Sequence, residues 1–377
     1  MAQTERLTYA KGIYGEPEKQ AVLRSLDSGW LSGGVETHAF EKEFGSWWGM
    51  KHALTVNSGS SADLVALQAL NLPRGSEVIT PAGAAFPTTV SAMLYLGLEP
   101  VFVDVKDLCI DTEEMKKAIS PQTKAVMFAH TFGFTPDMDE VMNVVQENDL
   151  KLVEDCCDAV GSRYRGKLVG THGDVATVSF YPAHHMTTGE GGMVLTNSDE
   201  TFREALAVRN WGRDCVCGDL PSCRNRFDNP PFDHRYYYTR MGRNFQMTEM
   251  QASFGREQLK RLDGFIELRR RNYNILAREL GQPECGEVSP FAYPLFSKNK
   301  EEDMRRLNEA GIDTRTMFGG NITRHPAFKN VGRVVGDLSE SDRILREGYF
   351  VGVAPHLTPD NMLYIAEQIN ETNKSLC

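Results

Sequence analysis

The chain has 377 residues, of which 41% are hydrophobic and 24% are charged, and its formal net charge is −10. This length predicts two domains, because single hydrophobic cores rarely grow beyond ~250–300 residues. The composition is typical of a soluble enzyme, and the acidic balance argues against a general binder of nucleic acids or anionic membranes. Because no stretch reaches the ~20 apolar residues of a membrane helix and no signal-peptide pattern opens the chain, we expect a cytoplasmic protein.

The first half of the chain predicts an alternation of strands and helices. Residues 1–12 are expected to be a mobile start, and amphipathic helices follow over 17–28 and 35–48. Strands are then predicted at 53–56, 77–80, 101–105, 125–129, 150–154 and 175–179, and the helices between them end near residues 70, 96, 118 and 147. This order argues for an α/β fold with a mainly parallel sheet covered by helices on both faces.

The second half predicts a smaller unit. Apolar residues recur with helical spacing over residues 247–280, which indicates one long helix or a pair that carries the chain into a second domain. After residue 289, short strands and helices fit a small α+β domain. We therefore expect a large domain over residues 1–255 and a small C-terminal domain over residues 256–377.

The most informative stretch is Ser179-Phe180-Tyr181-Pro182-Ala183-His184-His185, which follows a β-branched run and leads into a glycine-rich loop. It resembles the Ser-Phe-x-x-x-Lys signature of the fold type I sugar aminotransferases, which depend on pyridoxal phosphate (PLP) and share the aspartate aminotransferase-like fold. His184 stands where that family has the lysine that bonds covalently to the cofactor. An imidazole can move protons but cannot form that bond. The resemblance therefore implies a non-covalently held cofactor with His184 as the general base, whereas we expect His185 to pack or to orient its neighbour.

A second segment, Asn57-Ser58-Gly59-Ser60-Ser61, lies between a predicted strand and a predicted helix. The N–H groups at a helix N-terminus favour a phosphate, although a simple serine N-cap explains the same residues. The resemblance favours the phosphate, with Gly59, Ser60 and Ser179 as contacts.

Further cofactor contacts are implied by the resemblance alone. Asp155, at the end of a predicted strand, corresponds to the aspartate that pairs with the pyridine nitrogen, and Asp158 is expected near the phenolic oxygen. Phe86 corresponds to the ring that stacks on the cofactor. Asn244 corresponds to a residue that reaches the phosphate bound by the other subunit, which implies a homodimer. From the residues alone, these four could be two capping acids, a core phenylalanine and part of a surface loop.

The eight cysteines are more consistent with buried thiols or metal ligands than with disulfides in the expected compartment. Cys215, Cys217 and Cys223 cluster in one loop, and 57 residues separate Cys157 from Cys215. Four such thiolates could hold a [2Fe–2S] cluster or zinc, or the clustering could be chance. The first two intervals resemble those of the iron–sulfur CDP-6-deoxy-4-hexulose 3-dehydrases, but the last interval, before Cys223, is shorter here. A metal site that includes Cys157 would lie beside Asp155 and the implied cofactor, close enough to pass single electrons. This position favours iron over zinc.

The resemblance implies reductive C3 deoxygenation of a nucleotide-linked 4-keto-6-deoxyhexose in 3,6-dideoxysugar biosynthesis. Pyridoxamine phosphate would join the C4 ketone, His184 would move the proton, and a separate flavin-dependent reductase would supply electrons through the [2Fe–2S] cluster. Two alternatives remain: an iron-free dehydratase that uses glutamate, and a non-catalytic zinc protein of the same fold.

Overall fold

The computed structural model describes residues 6–84, 86–215 and 230–374. In these ranges the α-helices are α1 (Glu16–Asp27), α2 (Val35–Trp48), α3 (Gly59–Ala69), α4 (Pro87–Leu96), α5 (Thr112–Ala118), α6 (Met138–Glu147), α7 (Asp199–Arg209), α8 (Glu249–Leu259), α9 (Leu262–Glu279), α10 (Lys300–Glu309), α11 (Ser339–Glu347) and α12 (Pro359–Lys374). The strands are β1 (His52–Val56), β2 (Glu77–Pro81), β3 (Glu99–Val103), β4 (Val105–Lys106), β5 (Cys109–Ile110), β6 (Thr123–Ala129), β7 (Lys151–Asp155), β8 (Arg163–Tyr164), β9 (Lys167–Leu168), β10 (Val175–Ser179), β11 (Gly192–Thr196), β12 (Ala292–Phe296), β13 (Thr314–Thr316), β14 (Arg333–Val334) and β15 (Gly348–Gly352).

Eight of the described strands form one sheet in the order β1-β11-β10-β7-β6-β2-β3-β14. The pairs from β10 to β14 are parallel, whereas β11 is antiparallel to both of its neighbours. All five residues of β10 are buried, as expected for a strand covered on both faces. The predicted α/β class is confirmed, and β11 is the one described strand of this sheet that runs against the others.

Three apolar clusters cover the two faces of this sheet. One contains Phe40, Phe44 and Trp48 of α2, a second packs α3 and α4 against the sheet, and a third packs α5 and α6 against it. Adjacent residues of a strand point to opposite faces, so Leu152 of β7 enters the third cluster while Val153 enters the second. Both faces are therefore covered, which leaves the strand ends as the sites where polar side chains can reach a ligand.

A second, smaller sheet has the order β12-β15-β13, and it packs with α9, α10 and α12 around its own apolar cluster. The segment predicted as one helix or two is the pair α8 and α9. The predicted domain boundary after residue 255 lies within α8 and stays a prediction. The strand β14, from the predicted small domain, pairs with β3 of the large sheet.

The expected mobile start is wrong for the residues that the structure describes. Leu7 pairs with Ile312, and its N–H donates to the Gly311 carbonyl at 2.9 Å. The Tyr9 ring lies 5.7 Å from that of Phe350. This pairing joins residues about 300 positions apart, so no local pattern could have indicated it. None of the described helices is long and apolar enough to cross a bilayer.

Candidate active site

A cavity of about 650 Å³ lies at the carboxyl ends of the parallel strands, which is where α/β sheets usually bind ligands. Asp155 ends β7 and Ser179 ends β10, and both side chains line it. The opposite wall is formed by residues after β13, among them Phe318. The cavity therefore combines groups from both halves of the chain.

Asp155 is one of the cavity-lining residues and is only 5% exposed. Its carboxylate accepts hydrogen bonds from the Cys157 N–H at 3.0 Å and from the Thr89 hydroxyl at 3.3 Å. A carboxylate can accept about four hydrogen bonds, so these two leave capacity for a cationic N–H donor of a ligand. This arrangement fits the role expected from the resemblance, a partner for a protonated pyridine nitrogen.

Gly59 and Ser60 begin α3 and line the same cavity. A Cβ on Gly59 would lie 2.5 Å from the Cβ of Ser179, so only glycine allows this helix to begin so close to β10. Ser58 is the N-cap, and its hydroxyl oxygen accepts from the Ser61 N–H at 3.1 Å. The simple capping interpretation is thus correct for Ser58, while Gly59, Ser60 and Ser179 surround a helix N-terminus suited to a phosphate.

Phe86 is 52% exposed although it is aromatic, and it forms part of the cavity wall. Its ring meets that of Phe318 edge-on, with centroids 6.0 Å apart. An exposed ring beside a strand-end carboxylate and a helix N-terminus fits the flat, phosphorylated cofactor that the resemblance implies.

His184 lines the cavity, with its Nδ1 atom 3.5 Å from Oδ1 of Asp158. Burial, and then the positive charge of Arg269, lower the pKa of His184 to about 3. Burial, and then the negative charge of Asp155, raise the pKa of Asp158 to about 7, although the Phe132 N–H that donates to it opposes that shift. The imidazole is therefore neutral at pH 7 and can accept a proton.

Two other predicted residues lie elsewhere. His185 is buried behind the loop, with its Nε2 3.1 Å from the Ser289 carbonyl oxygen. Asn244 is exposed and is not part of the cavity wall of its own chain; its side-chain oxygen accepts from the Gln246 N–H at 3.2 Å. Contact between Asn244 and a second subunit stays a prediction.

Of the four predicted metal ligands, Cys157 lines the cavity and Cys215 is buried, whereas Cys217 and Cys223 lie outside the described residues. Burial, and then the charges of Asp155 and Asp63, raise the pKa of Cys157. Within the described ranges, no group of three or more His, Cys, Asp or Glu side chains is arranged to hold a metal ion. The four-cysteine site stays a prediction.

Sequence reasoning missed three charged residues near the site. Asp63 of α3 lines the cavity and is only 2% exposed. Its carboxylate accepts a hydrogen bond from the Thr177 hydroxyl at 2.8 Å. Burial, and then the negative charge of Asp155, raise the pKa of Asp63. Arg315 contributes the one Lys or Arg side chain among the described cavity-lining residues. Arg269 is buried next to the His184 loop. Asp63 and Arg269 each interrupt the apolar face of a helix, and that interruption is the signal that could have indicated them.

Comparison with known proteins gives consistent results. The profile of the DegT/DnrJ/EryC1/StrS aminotransferase family matches residues 13–370. The chain is similar to the lipopolysaccharide biosynthesis protein RfbH of Salmonella typhimurium (41% identity, covering 95% of this chain and 90% of that protein). It is also similar to the dTDP-4-dehydro-2,6-dideoxy-D-glucose 3-dehydratase of Saccharopolyspora spinosa (40% identity, 95% and 85%). A solved GDP-4-keto-6-deoxymannose-3-dehydratase with a trapped PLP-glutamate geminal diamine superimposes with a TM-score of 0.88 (28% identity, 96% and 100%).

Proposed function

Because the chain belongs to the DegT/DnrJ/EryC1/StrS aminotransferase family, we propose that it is a nucleotide-sugar 3-dehydratase that removes the C3 oxygen of a nucleotide-linked 4-keto-6-deoxyhexose. Two similar proteins carry the name 3-dehydratase, which supports this reaction class over amino transfer. The same family membership supports pyridoxal or pyridoxamine phosphate as the cofactor.

The observation that carries the proposal is the neutral His184 in the cavity. None of the described residues that line the cavity is a lysine, so the wall offers an imidazole where a transaminase needs an amine. His184 can accept a proton, and its conjugate acid can then protonate a departing hydroxyl. A base that cannot bond to the cofactor suits elimination rather than repeated amino transfer.

The other cavity residues have binding roles in this proposal. Asp155 would pair with the ring nitrogen, Gly59 and Ser60 would bind the phosphate with Ser179, and Phe86 would stack on the ring. When bound, pyridoxamine phosphate supplies a primary amine and a ring that withdraws electrons. Asp158, beside His184 Nδ1, would orient the imidazole and lie near the phenolic oxygen.

The finer proposal is a reductive enzyme in which Cys157, Cys215, Cys217 and Cys223 hold a [2Fe–2S] cluster. Its support is the cysteine spacing and the place of Cys157 in the cavity wall, directly after the strand that ends in Asp155. The protein would then act as a homodimer and receive electrons from a flavin-dependent reductase.

One observation favours the iron-free alternative, in which glutamate regenerates the cofactor. The solved dehydratase with a TM-score of 0.88 contains a trapped PLP-glutamate adduct. That route requires no reductase and assigns no role to the loop cysteines.

Protein purified without oxygen distinguishes the two routes. About two irons and two sulfides per chain, with absorption bands that bleach on dithionite, are expected for the reductive enzyme. Cys157→Ser should lose that iron, whereas Cys109→Ser, at a buried free cysteine of β5, should keep it. Iron-free protein that consumes glutamate while it removes the C3 oxygen would establish the alternative, and transfer of an amine to C4 with C3 intact would contradict both.

A further inference from the structure

Arg269 is a charged residue at a core position. It lies on α9 between the buried residues Phe265, Ile266 and Tyr273, and only 2% of its surface is exposed. Burial lowers the pKa of Arg269 to about 10, so the guanidinium remains a cation at neutral pH. Buried charges are costly, and a protein core rarely contains one without a specific interaction.

The partners of this guanidinium are backbone oxygens of the loop that carries His184. One terminal nitrogen donates to the carbonyls of Ala183 at 3.0 Å and His184 at 2.8 Å. The other terminal nitrogen donates to the Phe291 carbonyl at 2.9 Å. The His184 N–H donates to the Tyr181 carbonyl at 3.0 Å, so the arginine binds carbonyls at the end of a tight turn. The side chain thus fixes this turn against the segment that leads into β12.

The same residue is part of the electrostatic surroundings of the imidazole. Asp158 lies on one side of His184, with 3.5 Å between the nearest oxygen and nitrogen, and Arg269 lies beneath its backbone. The neutral His185 follows in sequence, and the Tyr181 ring lies 6.2 Å from the His184 ring. Among these groups Arg269 is the cation, and a nearby cation disfavours a second positive charge on the imidazole.

We propose that Arg269 is a positioning residue for the base: it ties the Ala183 and His184 carbonyls of the turn to the Phe291 carbonyl, and its charge adds to burial in disfavouring a proton on the His184 imidazole. The role of His184 as a base rests on the proposed function, whereas the hydrogen bonds of Arg269 and the protonation state of His184 do not. The guanidinium touches backbone oxygens, so it acts through His184.

Neighbouring Arg270 provides a matched control. It lies on the same helix and also donates to three backbone carbonyls, those of Val288, Gly161 and Glu287, away from the His184 loop. We would compare Arg269→Met, Arg269→Lys and Arg270→Met. The imidazoles of ¹⁵N-histidine-labelled protein would be titrated by NMR from pH 8 to pH 5, with the His184 signal assigned by its loss in His184→Asn. Steady-state kinetics would be measured in parallel.

In Arg269→Met we expect the proton affinity of His184 to rise at least tenfold, with protonation beginning to show near pH 5, and kcat to fall about 100-fold because the base is misplaced. Arg269→Lys should keep the proton affinity within about threefold and still lose at least tenfold in kcat, since an ammonium cannot reproduce the planar set of donors. Arg270→Met should change neither quantity by more than about twofold.

Identical titrations in the two methionine variants would overturn the electrostatic part of the proposal. Wild-type kcat in Arg269→Lys would overturn the positioning part. If Arg269→Met does not fold, as judged by circular dichroism, kcat of Arg269→Lys decides the positioning part, and the titration of Arg269→Gln, a second neutral variant, decides the electrostatic part. The NMR titration needs no substrate, so a failure of the proposed dehydratase reaction and a failure of this inference give different results.

Discussion

Glu154 and Asp155 are neighbours on β7, and their carboxylates face opposite sides of the sheet. Glu154 is fully buried and accepts from the N–H groups of Gly170, His172 and Gly173 at 2.7, 2.9 and 2.7 Å, and its oxygen lies 3.1 Å from His130 Nε2. Burial opposes its ionisation, but these hydrogen bonds outweigh burial and hold the pKa of Glu154 well below its usual range. The chain itself satisfies this acid.

Asp155 receives two hydrogen bonds and has Asp158 and Asp63 nearby, and the pKa values of both neighbours are raised. A buried group of acids with few donors costs stability, and the chain does not supply the missing partners. The difference separates two acids on the same strand by their hydrogen bonding. Glu154 is fully hydrogen-bonded by the chain, whereas Asp155 keeps lone pairs that the proposed cofactor could use.

The largest expected effect is that of Asp155→Asn on activity. The amide oxygen can still accept from the Cys157 N–H, and the amide nitrogen can donate to the Thr89 hydroxyl oxygen, so the apoprotein should melt at the wild-type temperature or above it. Loss of the ionic partner of the ring should lower turnover about 10²–10³-fold. Calorimetry of the apoprotein and steady-state assays test both statements, and a large fall in melting temperature with full activity would reverse the assignment.

Glu154→Gln should give the opposite pattern. An amide cannot accept on both of its polar atoms, so buried N–H donors lose their partner and the free energy of unfolding should fall by roughly 3–5 kcal/mol. Urea denaturation measures this change. Glu99→Gln, at an exposed position of β3, should be neutral. Wild-type stability in Glu154→Gln would show that the hydrogen bonds to Glu154 are not what distinguishes the two acids.

Gly59→Ala tests whether cofactor binding in the cavity depends on the close packing of α3 against β10. The new methyl group would lie 2.5 Å from Ser179 Cβ, so the helix start must shift and phosphate contacts should weaken. We expect the affinity for pyridoxal phosphate to fall about tenfold, or ~1.4 kcal/mol, in a spectroscopic titration. Gly264→Ala, where a Cβ meets nothing within 4 Å, should leave that affinity unchanged. Equal affinities in the two variants would contradict this role of Gly59.

The smallest expected effect is the change with pH in the stability of Asp158→Asn relative to wild type. Because the folded-state pKa of Asp158 is about 7 and the unfolded value is about 3.9, the folded protein retains this proton as pH rises above 4. The stability that the proton confers is present below pH 4 and is lost as pH rises through 7. Asp158→Asn lacks this loss, so the advantage of the variant over wild type in melting temperature should grow as pH rises from 4 to 8. A constant difference across that range would contradict the raised pKa.

Much of the fold could be predicted because its signals are local. The buried run Val175–Ser179 and the apolar spacing over residues 247–280 identify a strand and helices by pattern alone. The pattern did not indicate that β11 runs antiparallel between β1 and β10, nor that α7 follows it. Strand direction depends on pairing between distant segments, and a single sequence does not display such pairing.

The site residues also divide into those that a local motif indicated and those that it did not. His184 and Asp155 were predicted because the segments around them resemble those of a known family, and the structure brings both residues to one cavity. Asp63 and Arg269 lie on the buried faces of α3 and α9, and their importance depends on contacts with β10 and the His184 loop. Sequence spacing identifies residues within a motif, but it does not identify the residues that support the motif from another part of the chain.

C3 dehydration with His184 as the base can be followed through the fate of the C3 oxygen. A 4-keto-6-deoxyhexose nucleotide labelled with ¹⁸O at C3 would be mixed with protein loaded with pyridoxamine phosphate, and the solvent would be analysed by mass spectrometry. Wild-type protein should release one equivalent of labelled water per active site, and His184→Asn should release it about 10²–10⁴-fold more slowly. Retention of the label with amine transferred to C4, or release at the same rate by both proteins, would contradict the account.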